Sequence, residues 1–146
     1  MKRILIVYDS STGRTQRMAE RIAEGVRSTG NEALLRKVSE FKGCGDLEGY
    51  QGYLFGSPTY FKDTTDGMKK FLFLASQADL VRRVGGAFGS YTHIGSGAKM
   101  IYDTMEHVFG MNMAETNPFN VKEQILDSGK GDQTCRDYGK VLAEKL

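Results

Sequence analysis

The chain has 146 residues, enough for one ordinary domain (1–146) with its own core and no disulfide or metal staple. Its 20 Lys and Arg against 18 Asp and Glu leave a formal net charge of +2, and the two signs are interspersed, which argues against nucleic acid as a partner. Cys44 and Cys135 form no C-x-x-C pair and no histidine pair stands near them, so zinc is not expected and a reduced, cytoplasmic protein is.

The first apolar run, "RILIVY" (3–8), is apolar in both alternating phases, as a strand covered on both faces should be. It ends at Asp9, too short for a signal peptide or a membrane span, so no membrane partner is expected. Met18, Ile22 and Val26 then recur every four residues, with Ala19 and Ala23 beside them, and predict a helix that stops at Gly30. "EALLRKV" (32–38) predicts a second strand, followed by an irregular or short helical link over 39–46. "YQGYLFGS" (50–57) predicts a third, whose glycines imply close backbone approach. After the loop "PTYFKDTTDG", Met68, Phe71, Leu72 and Ala75 mark the apolar face of a second helix.

"VGGAFGS" (84–90) predicts a fourth strand. Met100, Ile101, Met105 and Val108 lie at helical spacing within 96–109, and "NMAE" and "NVKEQIL" predict an interrupted fifth strand. A last helix carries Cys135, Tyr138, Leu142 and Leu146 on one face. Strands alternating with helices imply an α/β fold in three layers, a doubly wound five-stranded parallel sheet. In the strand order 2-1-3-4-5, the loops 9–15, 57–66 and 90–97 converge beyond the C-terminal ends of neighbouring strands, where such sheets bind ligands.

The first loop, "DSSTGRT", opens a helix with four hydroxyls: Ser10, Ser11, Thr12 and Thr15. A helix cap needs only one. Four hydroxyls, the N–H groups of residues 11–15 and the positive end of the helix dipole suit a phosphate dianion. The loop has neither G-x-x-x-x-G-K-[ST] nor G-x-G-x-x-G, so it is not a nucleoside-triphosphate or dinucleotide motif. It contains no cysteine, against the cysteine phosphatases. A receiver domain would need a carboxylate where this chain has Gly56 and Ser57.

S-S-T-G-R-T at 10–15 resembles the S/T-x-T-G-x-T phosphate loop of flavodoxins, which bind FMN. "GSPTYF" (56–61) is similar to the loop that lies along the flavin ring in flavodoxins and flavodoxin-like quinone reductases. "FGSYTHIGSGAKM" (88–100) resembles the third flavin loop, in the form found in the flavodoxin domains of flavodiiron proteins. The resemblance implies that Ser10, Ser11, Thr12, Gly13, Arg14 and Thr15 hold the phosphate. It places Ser57, Pro58, Thr59, Tyr60, Phe61 and Lys62 along one side of the ring, with Tyr60 stacking on it. Ser90, Tyr91, Thr92, His93, Gly95, Ser96 and Gly97 would supply the other side and the pyrimidine edge. His93 is either at the ring's edge or an ordinary loop histidine, and His107 reads as a C-terminal helix charge or a packing residue. No metal and no catalytic nucleophile are implied.

The chain departs from the family pattern in three respects. Phe61 stands where glycine lets a peptide near the flavin N5 flip, and positive φ at Phe61 or Lys62 is costly, which counts against such a flip. The third loop is short and lacks a second stacking tyrosine unless Tyr91 turns inward. The acidic excess usual in flavodoxins is missing. The expected function is that of a monomeric, low-potential FMN electron carrier working between a reductase and an acceptor. An NAD(P)H-dependent quinone or flavin reductase on the same fold is the alternative, favoured by "SPTYF" followed by "GMKKF" but not by a chain with no insertion and no evident nicotinamide site. A non-flavin binding domain would leave the four hydroxyls unexplained.

Overall fold

In a computed structural model that describes residues 1–146, the first apolar run forms β1 (Arg3–Tyr8). Its alternation divides the core: Ile4, Ile6 and Tyr8 join one buried cluster, Leu5 and Val7 the other. Both phases are apolar because helices cover both faces. The chain continues through α1 (Arg14–Ser28), β2 (Glu32–Lys37), 3-10 turns at Val38–Glu40 and Cys44–Leu47, β3 (Gly52–Gly56) and α2 (Asp66–Ala75). It closes with β4 (Val84–Tyr91), α3 (Ser96–Asp103), a π-helical turn (Thr104–Val108), β5 (Asn112–Met113), β6 (Phe119–Lys122), α4 (Glu123–Asp127) and α5 (Asp132–Glu144).

All strand pairs are parallel, in the order β2-β1-β3-β4-β5, with β6 also paired to β4. The interrupted fifth strand is therefore two short strands stacked along one neighbour: β5 pairs with Val84 and Gly85, β6 with Phe88 to Tyr91. "EQIL" is not strand, as the sequence suggests, but lies in α4. α1, α4 and α5 cover one face of the sheet, α2 and α3 the other. The register aligns Tyr8 with Gly56 and Gly56 with Phe88, so the first two loops leave the sheet at one level, while β4 runs on to Tyr91 before the third begins. No helix is long and apolar enough to cross a membrane.

α1 and α5 pack backbone against backbone at two points, because Gly25 faces the Arg136 carbonyl and Gly139 faces the Ile22 carbonyl, each so near that a Cβ would overlap it. Buried Cys135, Tyr138 and Leu142 line the sheet side of α5. Leu146 lies past the helix end, half-buried against the same cluster. The Tyr138 ring stacks on Phe119 at 4.4 Å. The helix after β4 differs from its predicted face: Ile101 and Met105 are buried, while Met100 and Val108 are exposed. For Val108 the cause is the π-helical turn, which adds a residue to the period and rotates it off the stripe.

Candidate functional site

The first loop carries out two tasks with its four hydroxyls. Ser10 Oγ accepts from the N–H groups of Gly13 (3.1 Å) and Gln16 (3.3 Å), so it shapes the loop and caps α1. Thr15 is 1% exposed and its hydroxyl lies 3.0 Å from that of Ser90, beneath the loop. Ser11 and Thr12 are exposed. Gly13 closes the turn at φ 90°, a left-handed conformation that costs glycine little. The backbone N–H groups of Ser11, Thr12, Arg14 and Thr15 donate to no acceptor in the chain. Four free donors at the positive end of a 15-residue helix form a site able to hold an anion.

Arg14 turns its side chain the other way. Its Nε and Nη2 donate to both carboxylate oxygens of Asp127 (2.9 and 3.0 Å), and Nη1 lies 3.4 Å from Glu123. The guanidinium holds the Asp127 carboxyl below the usual carboxylate range through that hydrogen bond. Among the predicted phosphate ligands, then, Arg14 contributes its N–H to the loop while its charge is spent on α4.

The second loop is a tight hairpin. Tyr60 and Asp63 exchange both backbone hydrogen bonds (2.8 and 2.9 Å), with Phe61 and Lys62 between them at φ 51° and 62°. Two successive left-handed residues across such a bridge have the geometry of a type I′ turn, which normally selects Asn and Gly. The sequence argues against positive φ here; the structure adopts it at both residues. Neighbouring contacts hold it: Asp63 pairs with Lys69 and accepts from the Thr64 N–H at 2.8 Å, and these keep its carboxyl below the usual range. Buried Ser57 bonds through its hydroxyl to Thr64 and to the Pro58 carbonyl (2.9 Å). The Tyr60 hydroxyl bonds to Ser11 and closes the hairpin onto the first loop. Phe61 is fully exposed and Lys62 is exposed, so neither packs against the protein.

The third loop is bound to the second. Thr59 N–H donates to the Ser90 carbonyl (3.1 Å) and Gly97 N–H to Thr59 Oγ1 (3.0 Å). A Cβ on Gly97 would stand 2.8 Å from Thr59 Oγ1, so only glycine allows this approach. Buried Ser90, half-buried Tyr91, Gly95 and Ser96, and exposed Thr92 and His93 complete the loop. His107 is exposed beside Glu106 at 3.1 Å, so it is not a packing residue.

The structure adds residues that the sequence does not single out. Asn120, on β6, donates to the Gly95 carbonyl (3.3 Å) and lies so close beneath it that a Cβ there would be 2.6 Å away. Its Oδ1 and the nearby Ser96 hydroxyl are buried without a partner. Asp9 accepts from Thr65 (2.6 Å), the residue that caps α2. Asp127 and Glu123 arrive from the end of the chain. None of these contacts has a local signal, since each joins segments far apart in sequence. Two clefts flank the loops. One of about 490 Å³ is lined by Asp9, Ser11, Tyr60, Phe61, Asp66 and Lys69, with no residue from the third loop. Another of about 350 Å³ lies outside the first loop, between Thr12, Arg14, Arg17 and Asp127.

A flavodoxin family model matches residues 6–142. A flavodoxin from Aquifex aeolicus is 33% identical over 99% of this chain and 86% of its own length. A flavodoxin from Clostridium saccharobutylicum is 33% identical over 66% of this chain. An NAD(P)H dehydrogenase (quinone) from Archaeoglobus fulgidus is 29% identical over 62% of it. The chain spans 60% of the length of each of these last two. Among solved structures, a flavodoxin from the domain Archaea superposes with a TM-score of 0.89 at 26% identity, over 98% of this chain and 97% of that one. A family match that runs from within β1 to within α5 takes in every strand of the sheet and all three loops, and by it the chain belongs to the flavodoxins.

Proposed function

We propose that the chain binds FMN non-covalently and carries electrons at low potential between a reductase and an acceptor. The observation that carries this reading is the set of four unpaired N–H groups at the start of α1, with the Ser11 and Thr12 hydroxyls exposed beside them. They fit a phosphate ester: the amides donate, the hydroxyls donate, and the helix end favours the negative charge. The Tyr60 ring, 38% exposed, offers a stacking face, and the Thr59–Gly97 and Thr59–Ser90 bonds fix the second and third loops relative to each other. The orphaned Ser96 hydroxyl adds a polar group at the third loop.

FMN supplies the redox chemistry when bound, accepting and returning electrons. The chain's contribution is to bind, to orient and to bias. The hairpin's backbone carbonyls and amides present fixed dipoles, and a difference of about 1.4 kcal/mol in how the oxidised and reduced states are held shifts a one-electron potential by about 59 mV.

The relation to NAD(P)H dehydrogenases (quinone) supports a second reading, direct reduction by a nicotinamide. Apoprotein titrated with FMN under flavin fluorescence, then reduced anaerobically with dithionite and separately with NADPH alone, tests both. Stoichiometric FMN binding with no bleaching by NADPH is the expected result. Fast bleaching by NADPH would favour the reductase, and absence of FMN binding would remove both readings.

A further inference from the structure

Resting on the FMN reading above, we propose that Asp127 and Glu123 set the strength of phosphate binding by holding the Arg14 guanidinium away from the first loop. Arg14 is the first residue of α1, and its N–H is one of the four free amides. A cation is thus already in place by position at the loop that would hold the phosphate. Its charge, however, is engaged in a two-pronged bond to Asp127 at 2.9 and 3.0 Å and lies 3.4 Å from Glu123. Two-pronged pairs of this kind are the stronger and more directional form of the Arg–carboxylate contact.

Arg17, one turn further, does not compensate, because Asp132 takes it in the same two-pronged manner at 2.9 and 2.8 Å. One arginine and two carboxylates therefore leave an excess negative charge at the edge of an anion site. Asp127 is also the last residue of α4 and lines the cleft of about 350 Å³ immediately outside Thr12 and Gly13. The C-terminal segment thereby forms the outer wall of the phosphate site and weakens it. The phosphate is left to neutral donors, hydroxyls and amides.

The expected consequence is specific to the phosphate and absent from the ring. Dissociation constants of apoprotein for FMN and for riboflavin, read by flavin fluorescence, are compared in the parent chain, Asp127→Asn, Glu123→Gln, and Asp127→Asn combined with Arg14→Gln. Asp127→Asn should tighten FMN about tenfold, as one added hydrogen bond from a charged donor allows, and leave riboflavin unchanged. Glu123→Gln should shift FMN in the same direction by less, and the Asp127→Asn gain should fall by more than half when Arg14 is Gln. Unchanged or weaker FMN binding by folded Asp127→Asn, or an equal gain for riboflavin, overturns the proposal. Failure of the parent chain to bind FMN would instead overturn the functional reading on which it stands.

Discussion

The hydroxyls of Thr15 and Ser90 meet at 3.0 Å beneath the first and third loops, both residues 1% exposed. This bond divides the hydroxyl-rich loop into a layer that faces inward, Thr15, and a layer that faces out, Ser11 and Thr12. Mutation should separate them. Thr15→Ala leaves the buried Ser90 hydroxyl without its partner and should cost about 1–3 kcal/mol of apoprotein stability. Thr12→Ala should leave the denaturation midpoint unchanged and weaken FMN binding by about 1.5–3 kcal/mol. Urea unfolding beside an FMN titration of each variant measures the split; equal effects of the two substitutions on stability would contradict it.

Phe61 and Lys62 hold left-handed backbone at the hairpin tip with side chains in solvent. A left-handed conformation costs an L-residue about 1–2 kcal/mol, against about 0.5–1 kcal/mol of extra chain entropy lost by glycine. Lys62→Gly should therefore stabilise the apoprotein by up to about 1 kcal/mol. A lower urea midpoint in this variant would mean that the turn carries no strain.

Gly139 lets α5 rest on the Ile22 carbonyl of α1. Gly139→Ala forces the two helices apart, and overpacking of this kind costs about 1–3 kcal/mol. Gly45→Ala is the control, since nothing lies within 4 Å of a Cβ there. Thermal melts of both should show a loss for the first only.

Asp63, Asp127 and Asp132 are held below the usual carboxylate range, first by their hydrogen bonds to Lys69, Arg14 and Arg17 respectively. Because the folded values are the lower ones, this stability is present above the unfolded value of about 3.9 and lost as pH falls through the folded values. The groups are solvent-screened, so the decline should be shallow. The urea midpoint should fall as pH is lowered from about 5 to below 3.9, and less steeply in Lys69→Met. An identical slope in that variant would remove the Asp63–Lys69 pair from the account.

The sequence by itself determined the layers and which polar loops meet. Apolar residues in both phases of 3–8 require helices on both sides, the four-residue spacing of Met18, Ile22 and Val26 turns one face of α1 to the sheet, and three polar loops after strands one, three and four must meet once those strands are neighbours. These are local periodicities, and a periodicity fixes which way a side chain faces. The same logic failed where the period itself changed: the π-helical turn carried Val108 into solvent, and "EQIL" became a helix.

Only the tertiary structure decided what each polar group in the site is bonded to. Arg14 has a phosphate-loop position but pairs with Asp127, 113 residues away; Thr15 and Ser90 are 75 apart; Asn120 reaches Gly95 across 25. The left-handed pair Phe61–Lys62 runs against local preference and is held by Ser57, Thr64, Asp63 and Lys69. Local preference at such a turn is worth a few kcal/mol, and a set of packed and hydrogen-bonded neighbours from other elements can outweigh it. Those neighbours come together only when the sheet assembles, which is why the residue types of the site could be read along the chain and their partners could not.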